Sequence, residues 1–482
     1  MSPRIKLNPA NRIRLVTFDG GGIYGYCTAI MLRNLCHRLP NFLARGCTDI
    51  FAGTSIGALI SLLLAKEEEP RRFIMSGELE ALFFNENLYS NKQDPLNRML
   101  SLYGMTAWSG GADMDKIMDQ YFGNMRMGDL KQRVLITTFA MGAHKGPNTW
   151  ETRIWRNFPS DKITIVDENK LVRDVAYGAV SPSTLRPIRG FLTDGGMTAM
   201  SPAISALAEI VDKPPELVSL EDAAKKLRNR TRTLLKDYYE GTISLDEVIK
   251  EVPALLKGWQ HLLEAGYESG YDPTDYQNLL LKLSQLLEKV DSPGSEDDSD
   301  TMGSASDETL HLISQIAETT RYRYDRLNLL RKIELFSVGV GSRVPGYHAA
   351  DYNYGIVPFS LLPTNILQAF FTPPFMQLMY DPNTKYISTT AGRLLGDADR
   401  FFRLDPEVIG FPVPPVIPAT YLARIPSCRR LYLRAIEEQS SLIPPEVYEN
   451  AVTWLLERGW NDAQLMHTAQ NQQANNEAPH ES

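Results

Sequence analysis

Apolar positions along the first two hundred residues fall into short strand-like runs that alternate with helical stripes. The run Ile13–Phe18 is followed by a stripe over about Tyr26–Leu39, with Leu32, Leu35, Cys36 and Leu39 on one face. "DIFAGTS" then leads into the apolar helix "IGALISLLLA", and "RVLITTFAM" and "TRIWRNF" read as further strands. Strand-like runs alternating with helices predict βαβ units, so the fold class is α/β: three α/β/α layers around a mostly parallel sheet.

After Val211 the pattern changes. Residues 215–290 are helical and rich in Leu and Lys, and "DSPGSEDDSDTMGSASDE" is acidic and lacks aromatics, as a flexible linker over about 291–308 would. Helical character resumes over Leu310–Lys332, and "IELFSVGVGS" reads as one more buried strand and glycine turn. The expected organisation is a core over 12–212, a helical insertion over 213–331, a second core part over 332–404, and a helical segment with a disordered tail over 405–482.

Composition narrows the classes. The chain has 482 residues, 43% hydrophobic and 22% charged, enough for a large core. A net charge of −8 argues against a nucleic-acid partner. Cys27, Cys36, Cys47 and Cys428 lack the spacing of a zinc site or disulfide scaffold. No secretion signal is read at the N-terminus, and the charge-free run Tyr352–Tyr380 is broken by Pro358, Pro363, Pro373 and Pro374. A cytoplasmic protein without a transmembrane segment, peripheral at membranes at most, is the expectation.

The candidate chemistry begins with "DGGGIYG". Gly20, Gly22 and Gly25 fit G-x-G-x-x-G after a strand, the opening of a dinucleotide site, but the second strand has no acidic residue at its far end to hold a ribose. There stands "GTSIG" instead: Gly53, Ser55 and Gly57 fit a nucleophile elbow, with a helix dipole beneath the serine. Next to such an elbow the amides of Gly20, Gly21 and Gly22 could receive an oxyanion, each such donor being worth roughly 3–4 kcal/mol in the transition state. A third stretch, "TDGGM", puts Asp194 after the apolar pair Phe191 and Leu192 and before Gly195 and Gly196. None of the three is decisive alone.

In this order, D-G-G-G-x-x-G, G-x-S-x-G and D-G-G resemble the patatin-like phospholipase family, supported by "AYGAVSPSTLRPI" and "LFSVGVGS". The resemblance covers about 12–207 and 332–343. It implies a lipid acyl hydrolase with Ser55 as nucleophile, Asp194 as base, an oxyanion hole at Gly20–Gly22, and neither metal nor cofactor. Tyr24 stands where the family often has Arg or Lys. A free aspartate is a poor base, with pKa about 3.9, and desolvation would raise it to a useful value. Two alternatives stay open: a Ser-His-Asp α/β-hydrolase, for which only His348 is suitably placed, and a nucleotide-binding interaction protein.

Three further stretches carry weaker expectations. "FSLLPTNILQAFFTPPFMQLMY" (359–380) offers a lid or membrane patch around Phe370 and Phe371, or plain core packing. Six of the twelve residues over Lys225–Lys236 are basic and read as a solvated face. "SEDDSD" lacks the glycine and final Glu of a calcium loop. The insertion offers a surface for a protein partner or regulator.

Overall fold

The computed structural model describes residues 12–89, 111–142, 150–158, 167–182, 191–212, 220–264, 278–285, 308–316, 326–341, 374–396, 399–406 and 423–462. They fall into two compact units. One draws on Arg12–Pro215 and Leu329–Ser482, the other on Glu216–Asn328.

The larger unit is built on a seven-stranded sheet: β1 (Ile13–Phe18), β2 (Ile50–Thr54), β3 (Arg133–Met141), β4 (Trp150–Arg156), β5 (Leu192–Asp194), β6 (Ile333–Val338) and β7 (Phe401–Leu404). The order is β4-β3-β2-β1-β6-β7, with β5 also on β3. The pairs β1–β2, β2–β3, β1–β6 and β6–β7 are parallel. All six residues of β1 and of β6 are buried, which is why these strands are mostly apolar rather than alternating, and even their polar members Arg14, Thr17, Glu334 and Ser337 lie inside.

At one edge the parallel pattern ends, because β4 and β5 both run antiparallel to β3. Since β4 covers Leu135–Met141 along one side of β3, β5 must lie on the other side, the side that carries β2. A three-residue strand therefore continues the line of β2 beyond its end.

Helix α1 (Gly25–Arg38) follows β1, and α2 (Ile56–Lys66) follows β2. From Ile56 to Ala65 every residue of α2 is buried, so it is apolar all round, as a helix enclosed by its neighbours must be. One hydrophobic core joins Val16, Phe18, Phe51 and Val134 of the sheet to both helices and to Leu433, Trp454 and Trp460 near the C-terminus.

The smaller unit has its own core around Trp259, Val248, Val252, Leu235, Leu283 and Ile313. Its helix Leu245–Glu264 opens with a reciprocal cap, Ser244 and Glu247 each accepting the other's backbone N–H. In the basic stretch, Arg230 pairs with Glu251 and Lys236 with Glu240, all exposed. His348, Phe370, Phe371 and the acidic linker lie outside the described residues. Among the described residues no helix is long and apolar enough to cross a membrane.

Candidate active site

The site forms where β1 and β2 end side by side. Phe18 is in register with Gly53, so the loop after β1 and the turn after β2 emerge as neighbours. In that turn Ser55 adopts φ 53° and ψ −126°, a conformation that L side chains rarely take. Held strain of this kind marks sites where the backbone is over-determined by its surroundings. The two flanking glycines supply the over-determination. A Cβ on Gly53 would strike the Gly57 carbonyl, and one on Gly57 would strike the Phe18 carbonyl oxygen. The turn is sharp because both backbones pass within a side chain's width.

Asp194 arrives from the opposite direction. It ends β5 in register with Thr138, while Thr54 is in register with Thr137. The half-buried Ser55 therefore faces a buried carboxylate, and its Oγ donates to Asp194 Oδ2 at 2.6 Å. The other carboxylate oxygen accepts the Gly196 amide at 2.7 Å, which fixes the rotamer. Gly195 is required for the same reason as Gly57, because its Cβ would run into the Thr137 carbonyl. The Ser181 carbonyl accepts both the Asp194 amide and the Thr193 hydroxyl, at 3.1 and 2.7 Å.

The glycine loop closes the third side. A Cβ on Gly20 would lie 3.1 Å from that of Ser55, so this backbone rests directly on the serine. One expectation needs correcting. The Gly20 amide donates to the Met200 carbonyl at 2.8 Å and is tied to the chain just past Asp194. Of the three amides read as oxyanion donors, those of Gly21 and Gly22 remain, Gly22 being in the left-handed region at φ 55°. Gly25 has a separate job: a Cβ there would collide with Ile56, the first residue of α2.

Two groups escaped the sequence reading. Met200 anchors the glycine loop, and Ser181 anchors β5 through a backbone carbonyl, which no side-chain pattern reports. A third feature is the outermost row of the sheet end. Trp150 is in register with Met141, whose amide donates to the Phe191 carbonyl at 2.8 Å, so Trp150 and Phe191 flank one residue. They are 72% and 60% exposed, and Phe191 holds φ 65°, an outlier for a bulky residue.

Comparison with known proteins identifies a family for the first part of the chain. Residues 16–207 match the sequence model of the family described as Patatin-like phospholipase. The chain is 28% identical over 200 residues to a cGAMP-activated phospholipase of Pseudomonas aeruginosa, covering 41% of this chain and 56% of that one. It is 24% identical over 240 residues to patatin-like protein 2 of Arabidopsis thaliana, covering 44% and 56%. It is 27% identical over 266 residues to CotR of Bacillus subtilis, named as a sporulation hydrolase, covering 52% and 75%. The matched region thus spans between about half and three quarters of these relatives. Residues 16–207 are thus a match to the patatin-like phospholipase family, and that match with the named relatives supports a lipid acyl hydrolase.

Proposed function

We propose that the chain cleaves carboxylic esters of phospholipids or related acyl lipids by a Ser55–Asp194 dyad. The supporting observation is the 2.6 Å hydrogen bond from the Ser55 hydroxyl, on a strained elbow, to a buried carboxylate. In this reading Asp194 takes the Ser55 proton as Oγ attacks the ester carbonyl. The carbonyl electrons move onto oxygen, which the Gly21 and Gly22 amides receive. Collapse breaks the acyl C–O bond, and Asp194 returns the proton to the departing alcohol or lysolipid. Water then attacks the acyl–Ser55 ester with Asp194 again as base, releasing a fatty acid and restoring the serine.

Asp194 itself accepts the hydroxyl's hydrogen bond, at the place where a conventional triad would put an imidazole. That favours the dyad over a Ser-His-Asp arrangement. A nucleotide-holding role is less well supported, since the first amide of the loop is tied to Met200 and the loop backbone lies on Ser55. Exposed Trp150 and Phe191, at the sheet end that carries Asp194, suit contact with a lipid surface, because Trp and Phe favour the boundary between water and acyl chains. The test is lipid analysis of phospholipid vesicles incubated with the wild type and with Ser55→Ala. Free fatty acid and lysolipid should appear with the wild type alone. Equal release by Ser55→Ala would refute the proposal.

A further inference from the structure

Arg403 stands on β7, far outside residues 16–207, yet it reaches back to the glycine loop. Its Nη2 donates to Asp19 Oδ2 at 2.6 Å and to Asp405 Oδ2 at 2.7 Å, and its Nη1 donates to Ser337 Oγ at 2.8 Å. Asp19 is wholly buried and immediately precedes Gly20. Asp405 accepts the Gly341 amide through Oδ1 at 3.0 Å, and a Cβ on Gly339 would collide with that carboxylate. Between these glycines, Val340 packs on Gly21, where a Cβ would lie 2.8 Å from Val340 Cγ1. One guanidinium therefore ties two turns, 19–22 and 339–341, that meet at Gly21.

The charges are held at a cost. Burial pushes the Asp19 carboxyl up to about 6, against the pull of Arg403; Asp405 pushes the same way as burial, and the Ser201 hydroxyl opposes it. Burial also works against the Arg403 cation, but Asp19 and Asp405 outweigh it and hold the guanidinium above its ordinary range. Buried ion pairs give little net stability, since desolvation cancels most of the attraction. What the planar fork does supply is fixed geometry that a lysine cannot reproduce.

Building on the dyad reading, we propose that Arg403 is a positioning residue for acyl transfer. By clamping Asp19 and Asp405 it holds the Gly21 and Gly22 amides where the oxyanion forms. It touches no reacting atom. A mere staple between β1, β6 and β7 would affect stability and leave turnover of the folded protein alone. The two roles differ in what they do to kcat.

The experiment measures fatty-acid release from mixed phosphatidylcholine–phosphatidylglycerol vesicles by the full chain and its variants, with thermal melting in parallel. Arg403→Gln takes the cation from both Asp19 and Asp405, so it is made alongside the double variant Asp19→Asn/Arg403→Gln, which also removes the charge of the wholly buried carboxylate. In each, kcat should fall about 100-fold to 1,000-fold, the scale of losing one oxyanion donor, while KM stays within about threefold. Arg403→Lys keeps the charge without the fork, and its kcat should lie about tenfold below wild type, a partial rescue. It remains informative if the other two fail to fold. Wild-type kcat in Arg403→Lys, or in the folded double variant, would overturn the proposal while Ser55→Ala is inactive. An active Ser55→Ala would overturn the dyad reading and this role with it.

Discussion

Thr54 and Asp194 stand end to end on one side of β3, Thr54 in register with Thr137 and Asp194 with Thr138. Strand β2 stops, the chain turns away through Ser55, and a short antiparallel strand from elsewhere in the sequence takes up the vacated line. The hydroxyl and the carboxylate meet, although 139 positions separate them, because β3 extends past the end of β2 and offers both strands the same row of hydrogen bonds.

The elbow stores strain that glycine would relieve. Ser55 holds φ 53°, so Ser55→Gly should raise stability by about 1–2 kcal/mol in denaturant unfolding while ending acyl hydrolysis. Ser55→Ala keeps the strain and should gain nothing. Equal stability of the two variants would contradict the account of the turn.

Close approach makes Gly57 irreplaceable. Its Cβ would meet the Phe18 and Asp19 carbonyl oxygens, which belong to backbone and cannot swing aside. Gly57→Ala should cost about 3 kcal/mol or more, at the severe end for overpacking. Gly128→Ala, whose Cβ would meet Glu168 at an ordinary 3.4 Å, should shift the unfolding midpoint by no more than about 0.5 kcal/mol. Similar losses in the two would show that the packing argument is wrong.

At the other end of the strands, Asp49 sets a pH dependence. Burial pushes its carboxyl up to about 6, opposed by the Arg14 amide, which donates to it at 2.8 Å, and by the Arg133 and Arg14 cations; Glu334 adds to the rise. A folded pKa above the unfolded one means that the folded state binds the extra proton. The stability this gives is complete below about 4 and is lost as pH rises through about 6. Between pH 7 and 5 this group alone should add about 1 kcal/mol, and Asp49→Asn, which keeps an acceptor oxygen, should remove that increment. Urea midpoints at the two pH values decide it; an unchanged increment in the variant would refute the assignment.

Trp150 and Phe191 test the route of the substrate. Trp150→Ser combined with Phe191→Asn, an amide residue that tolerates positive φ, should lower binding to phospholipid vesicles about tenfold with little change in melting temperature. Sedimentation with vesicles measures it, and undiminished binding would place the lipid contact elsewhere.

Much of this was legible in the sequence, for physical reasons. β1, β2 and β3 are mostly apolar runs with glycines at or just past their ends, and burial on both faces writes that pattern directly. The pairing of Ser55 with Asp194 was an expectation from the family resemblance that three ordered motifs carry, not from periodicity. The direction of β4 and β5 was not legible, because an antiparallel strand at a sheet edge has the same local pattern as a parallel one. Which loop amide is taken was also hidden, since the Met200 carbonyl that claims Gly20 carries no side-chain signal. Arg403 lies 384 positions from Asp19 on a strand of four residues, too short for any pattern to mark.

The dyad itself is tested most directly by the rate at which a fluorophosphonate probe phosphonylates Ser55, read by peptide mapping in the wild type and in Asp194→Asn. With Asp194 as the base, the wild type should label at Ser55, and Asp194→Asn should label at least about 100-fold more slowly while melting like the wild type. Labelling of Asp194→Asn at the wild-type rate, or labelling of the wild type at a different serine, would contradict the account.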